Sequence, residues 1–296
     1  MESTSKLYYF IGKGGVGKST LSVLTALKLS AAGYPTLLVS LDPAHNLSDI
    51  MKIKLKSKPV RVQDNLDAQE VDFDNWIRHY LRGIEKQLQS SYRYLSSLNL
   101  DKKFAAIKLA PGIEEYGMLM AMQNILDKAK DFEYIIVDMP PTGLALRFFN
   151  LPYLSILWLQ KLLDLRKEIL QKKEIIQKVR IGRFEWHKDK LSIQLQKQLQ
   201  KYERIEKYWK KDITSIKIVL NKDELSLKEA QRIINQLNEI GINRYGIVVN
   251  KCDEDNSAVI CESLKSEKCH IVSRASYPLS GIQNLRQFLR KNTFSL

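Results

Sequence analysis

Cysteine is scarce in this chain: three residues in 296, at 252, 261 and 269, with no close pair among them. That usage excludes a small disulfide scaffold and fits reduced thiols inside a cell. Eight and seven residues separate them, which is not a zinc-ligand spacing even with His270 beside the last. His45 and His79 have no visible ligand partner either. A long apolar run is also missing. The richest stretch, LPYLSILWLQKLLDL from Leu151, is broken by Lys161, so nothing is long enough to span a bilayer. A strand-like run already begins at Leu7, which leaves no room for a signal peptide. The expectation is a cytoplasmic protein that meets a membrane only peripherally.

Acidic residues are the minority charge: 33 against 47 Lys and Arg, a net of +14. The lysines are spread along helices rather than gathered in a tail, so the excess reads as solvated surface and nucleic acid is not an expected partner. Residues 153–212 alone hold 16 basic and 8 acidic side chains, a net of +8. There is no repeat and no low-complexity linker. The length suits one large α/β domain with an insertion.

What is present is an alternation of strands and helices. Apolar runs at Leu7–Ile11, Thr36–Leu41, Tyr134–Asp138, 216–220, 245–249 and 270–275 are each followed by polar loops. LDAQEVD at 66–72 is a weaker candidate. YIIVD at 134–138 is the continuous β-branched run of a parallel strand buried on both faces. The pattern predicts a doubly wound, mostly parallel α/β sheet, which binds ligands at the carboxyl ends of its strands. The core is expected over 1–73, 106–152 and 213–296, with an all-helical subdomain inserted as 74–105 and 153–212. In the second insertion Trp158, Leu162, Leu165 and Ile169 form one helical stripe. Leu191, Leu195, Leu199, Tyr202 and Ile205 form another. Most of these residues are expected to pack helix on helix.

The strongest motif opens the chain: FIGKGGVGKST, residues 10–20. Gly12-x4-Gly17-Lys18-Ser19 between a strand and a helix is a phosphate loop. Backbone N–H groups from Gly12 through Gly14, Gly15, Val16 and Gly17 to Thr20 can cradle phosphates, helped by the helix dipole. Lys18 reaches the β- and γ-phosphates, and Ser19 supplies a hydroxyl for Mg²⁺. Asp138, ending a buried strand, can hold the same Mg²⁺, directly or through water. Asp42 ends the second strand. It can orient the attacking water, or it can cap the turn that Asp-Pro begins. Lys13 is a second lysine in a loop that already has one. A cation there is most useful to a neighbouring active site, as an arginine finger is; the alternative is a solvated loop residue.

Five stretches, GKGGVGKST, SLDPAHNLSDI, VDMPPTGLALRFFNLP, LSLKEAQRIINQL and YGIVVNK, occur in an order that resembles one family. These are the ATPases that drive arsenical pumps and the related ATPases that target tail-anchored membrane proteins. The resemblance implies ATP and Mg²⁺ as ligands and a homodimer that closes on two ATP molecules. It also implies that Lys13 crosses to the partner's phosphates, that Asp42 positions water, and that Asn46 belongs to the first switch. Residues Asp138 to Leu146 would form the second switch. Asn250 would recognise adenine, in a pocket completed after Pro278. The partners implied are a hydrophobic membrane-protein helix and a membrane receptor or pump subunit. Two departures stand out: Leu144 replaces a switch histidine, and the Cys-x-x-Cys pair of some relatives is absent. The expected function is a targeting chaperone. The alternatives are an arsenite-pump subunit, which the cysteine spacing disfavours, and a partition-type positioning ATPase.

Overall fold

The computed structural model describes residues 5–44, 46–78, 82, 112–128, 130–181, 189–252, 264 and 269–292. The strands are β1 (Lys6–Ile11), β2 (Thr36–Ser40), β3 (Val60–Gln63), β4 (Leu66–Glu70) and β5 (Tyr134–Asp138). After them come β6 (Thr214–Leu220), β7 (Tyr245–Cys252) and β8 (Cys269–Ser273). They form one sheet in the order β3-β4-β2-β5-β1-β6-β7-β8. Every neighbouring pair runs parallel except β3 with β4. The helices are α1 (Lys18–Ala31), α2 (Asn46–Met51), α3 (Ile113–Lys128), α4 (Thr142–Ile181), α5 (Lys190–Lys210), α6 (Glu224–Glu239) and α7 (Ile282–Lys291). This is the doubly wound sheet the alternation predicts.

Burial explains the strand choices. β2 and β5 are buried at every residue, as apolar strands covered on both faces must be. A core cluster joins Phe10, Leu24, Leu38, Ile136, Val248 and Phe288, so β1, β2, β5, β7, α1 and α7 share one packed layer. Register then sets the site. Phe10 and Ser40 both lie level with Asp138, so the phosphate loop, Asp42 and Asp138 leave the sheet at the same end.

β3 is the strand the pattern did not predict. VRVQ alternates over only four residues, carries Arg61 in the middle and is half-exposed at the sheet edge. Asp64 and Asn65 turn it into β4, with Asn65 at φ 58°, a conformation Asn tolerates.

The chain separates into two compact units, residues 1–148 with 212–296, and residues 149–211. Of the proposed insertion at 74–105, only 74–78 and 82 are among the described residues. Residues 73–78 are helical and Ile77 is buried. His45, His79 and Cys261 lie outside the described residues.

In the unit 149–211, Asp189 caps α5. It accepts from Ser192 N and pairs with Arg166 on α4 through two 3.0 Å hydrogen bonds. The guanidinium, helped by the Ser192 hydroxyl, holds the Asp189 carboxyl well below the usual carboxylate range. The α5 stripe is graded: Leu191 is exposed, Leu195, Leu199 and Tyr202 are half-buried and Ile205 is buried, with Tyr208 and Trp209 buried beyond it. The α4 stripe departs from the expected packing, because Trp158, Leu165 and Ile169 are exposed.

The cysteine expectation also needs correcting. Cys252 is buried and outside any disulfide, its thiol donating to Val249 O at 3.8 Å, but Cys269 is disulfide-bonded. Pairing depends on two sulfurs meeting in space, which spacing along the sequence does not decide, and the second sulfur lies outside the described residues. No helix among the described residues is long and apolar enough to cross a membrane.

Trp209 packs edge-on against Phe149 with centroids 5.0 Å apart. Trp209→Ala is predicted to lower unfolding free energy by about 3–5 kcal/mol, read from denaturant titration.

Candidate functional site

The phosphate loop is shaped by what lies against it. Gly12 sits at φ 151°, and a Cβ there would fall 2.2 Å from the Val219 carbonyl oxygen of β6. Gly17, at φ 98°, opens α1, and its Cβ would fall 2.3 Å from the Asn250 amide nitrogen. Only glycine fits either place. Asn250, buried at the end of β7, donates from Nδ2 to Val16 O at 2.7 Å. The loop is thus clamped between β6 and β7. Gly14 and Gly15 stay exposed, with open space where a side chain would be.

Lys18 is buried, and its Nζ donates to the Lys13 carbonyl at 3.3 Å. Burial lowers its pKa, against the opposing charges of Asp138 and Asp42. Asp138 is fully buried, and burial pushes its pKa up to about 7. The Ser19 hydroxyl and Lys18 oppose that rise, while Asp42 and Glu70 add to it. Ser19 lies close enough to favour the charged form, yet neither Asp138 oxygen accepts a hydrogen bond of full geometry. An orphaned, buried carboxylate beside a hydroxyl is an oxygen donor set that suits a hard divalent cation.

Asp42 closes its turn with one carboxylate oxygen and meets a side-chain amide with the other. Oδ1 accepts from Ala44 N at 3.0 Å and closes the turn, while Oδ2 faces the Asn46 amide at 3.4 Å. Its own N–H donates to Ser40 Oγ. Asn46 begins α2, and Glu70 at the end of β4 fastens that helix by accepting from Ser48 N at 2.9 Å and Ser48 Oγ at 2.7 Å. Sequence reading passed over Glu70; its position after LDAQ, at the end of a strand, was the available signal.

Lys13 is exposed. Its charge helps hold the Asp223 carboxyl below its usual pKa, a shift caused chiefly by the Ser226 hydroxyl. Asp223 caps α6 by accepting from Ser226 N at 2.8 Å. Asp223 was also missed, although Asp223-x-x-Ser226 is a helix-start pattern. In the stretch expected as the second switch, Thr142 opens α4 with a buried hydroxyl that has no partner, and Leu144 is half-buried in the first turn. Pro278 is exposed in the loop between β8 and α7, its carbonyl accepting from Asn284 Nδ2. That loop is tied to α2 by Gly281 N donating to Ile50 O at 2.7 Å. Among the described residues no group of three His, Cys, Asp or Glu could hold a metal ion.

A parallel sheet, a strand–glycine loop–helix unit and carboxylates at the neighbouring strand ends together define a phosphate-loop NTPase. A family model described as anion-transporting ATPase matches residues 5–274, and the chain belongs to that family. Its relatives include a protein named arsenical pump-driving ATPase 1 from Aquifex aeolicus. The two are 27% identical over 297 residues, covering 92% of this chain and 71% of that protein. Two fission-yeast proteins named ATPase get3 are also similar. The Schizosaccharomyces pombe protein is 33% identical over 85% of this chain and 75% of its own length. The Schizosaccharomyces japonicus protein is 31% identical over 88% and 80%.

The raised pKa of Asp138 gives a pH prediction. Folded, the group keeps its proton to about 7, so its contribution favours the fold below the ordinary value of 3.8 and is lost as pH climbs towards 7. A divalent cation needs the carboxylate. Mg²⁺ affinity, measured by calorimetry with a non-hydrolysable ATP analogue, should therefore rise about tenfold between pH 6 and pH 8. Asp138→Asn should bind weakly and without that slope.

Proposed function

We propose that this chain is a Mg²⁺-dependent, ATP-hydrolysing switch that works as a homodimer and shelters apolar helices of tail-anchored membrane proteins. The observation that carries the client reading is the bare apolar face of α4. Leu154 is 58% exposed, Leu157 46% and Trp158 66%, with Leu165 and Ile169 continuing the stripe. Burying one such side chain is worth about 1.5–3 kcal/mol, so a helix laid along this face would be held by several such contributions. The pump reading has less support. It needs thiolates brought together, whereas Cys252 is buried and Cys269 is already bonded.

The chemistry follows from the loop. Lys18 balances the β- and γ-phosphates, and Asp42 orients the attacking water through the oxygen that faces Asn46. Mg²⁺, held by Ser19 and by Asp138 directly or through water, would neutralise charge on the bridging phosphates. Asn250 has given its amide N–H to the loop, so its Oδ1 is the atom that can accept from the adenine amino group. The Pro278 loop would close the base pocket. Lys13, exposed on its own subunit, supplies the cation to the partner's transferring phosphoryl group. A cation delivered in that way is worth about 10³–10⁵ in rate. A membrane receptor would then take the client.

Lys13→Ala should keep ATP binding and lose most turnover in a steady-state phosphate-release assay; hydrolysis at the parent rate would remove Lys13 from the reaction. Asp42→Asn should behave alike, with the closed dimer persisting. For the client, the test is co-expression with a tail-anchored segment. The parent should yield a water-soluble complex, while Leu154→Ser with Trp158→Ser should lose it and keep ATPase activity. Failure of the parent to shield any such segment would reject the client reading.

A further inference from the structure

β7 carries one more residue against the phosphate loop. Lys251 follows Asn250 and sits at φ 56°, in the left-handed region that side-chain-bearing residues rarely occupy. From there its Nζ donates to Gly15 O at 3.0 Å, while the side chain remains exposed. Consecutive residues of one strand end thus take consecutive carbonyls of the loop. The Asn250 bond is buried and fixes the loop. The Lys251 bond is not needed for that, since an exposed Gly15 carbonyl can be satisfied by water. The β7–β8 register shifts between Val249 and Cys252, and that bulge accounts for the left-handed backbone. The ordered lysine at an exposed carbonyl of the phosphate loop is what points to a ligand beside it.

The sheet order says which part of the ligand that is. β2 and β5, whose ends carry Asp42 and Asp138, lie on one flank of β1, and β6 and β7 lie on the other. A triphosphate whose γ end meets Lys18, Asp42 and Asp138 must carry its nucleoside out on the opposite flank. Lys251 bridges that flank, from the end of β7 to the middle of the loop. We infer that Lys251 is a platform for the purine base. Its methylene stem and its ammonium, pinned on Gly15 O, lie along the face of the ring, while Asn250 addresses the ring's edge. A cation and an apolar stem are the chemistry that a π face accepts. The inference rests on the nucleotide reading of the same loop.

The test compares Mg²⁺-ATP with Mg²⁺-tripolyphosphate, which has the phosphates but no base, by calorimetry on the full chain. Lys251→Asn removes stem and cation and tolerates the left-handed backbone. Its melting temperature without ligand serves as the folding control. Lys251→Asn should weaken ATP about three- to thirty-fold and leave tripolyphosphate unchanged within about twofold, and Lys251→Arg should restore most of the loss. Equal weakening of both ligands would make Lys251 a loop brace and overturn the platform, as would unchanged ATP affinity. A parent that binds neither ligand would reject the nucleotide reading itself, and the platform with it.

Discussion

Three charges held out of water govern this site. Lys18, Asp138 and Asp42 are all buried, and Asp138 has no hydrogen bond of full geometry on either oxygen. Burying a charge is costly unless it is paired, and here pairing is incomplete. The response is visible in the pKa directions: burial drives Lys18 down, and burial, with Asp42 and Glu70 adding to it, drives Asp138 up. A triphosphate with its cation would supply what is missing, bringing negative charge to Lys18 and positive charge to Asp138. The rigid parts of the fold serve that arrangement. The loop is trapped between the Val219 carbonyl and the Asn250 amide, so the charges cannot relax by moving the glycines away.

The same constraint suggests how nucleotide state would reach the apolar face of α4, where the proposed client would lie. α4 begins four residues after Asp138, and its first residue, Thr142, keeps a buried, unpartnered hydroxyl. This one helix then runs forty residues and carries Leu154, Leu157 and Trp158. Pro152 lies between the switch and that face, and a proline inside a helix is a place where it can bend. With Leu144 in place of a polar switch residue, packing rather than a hydrogen bond would transmit the change at that position. On the other side of the site, Glu70 and Ser48 fasten α2, so Asp42 and Asn46 answer to the strand beneath them.

Much of this was legible in the chain because the signals are local. YIIVD could only be a buried strand, and a glycine loop between strand and helix specifies its own backbone. The parts that were not legible depend on approach in space. β3 is four residues, three half-buried and Arg61 exposed, whose pairing comes from an Asp-Asn turn. Spacing offered Asp42 as a turn cap or a water-positioning base; the structure shows the turn contact on one carboxylate oxygen and the Asn46 amide against the other. The Asn250 amide is occupied by Val16, which no residue spacing reveals. A helical stripe reads the same whether it is buried or bare, so the exposure of Trp158 had to be observed. The disulfide at Cys269 likewise depends on two sulfurs meeting in space.

The central claim is that the site is complete only when a second subunit contributes Lys13. Subunit mixing tests it most directly. Lys13→Ala and Asp42→Asn subunits, each inactive alone, are combined in equal amounts under conditions that allow exchange, and phosphate release is measured. Delivery in trans gives each mixed dimer one site with both residues. Activity should therefore recover to about a quarter of the parent value, since half the dimers are mixed. No recovery, with exchange verified by differently tagged subunits, would place Lys13 in its own subunit's site and contradict the account.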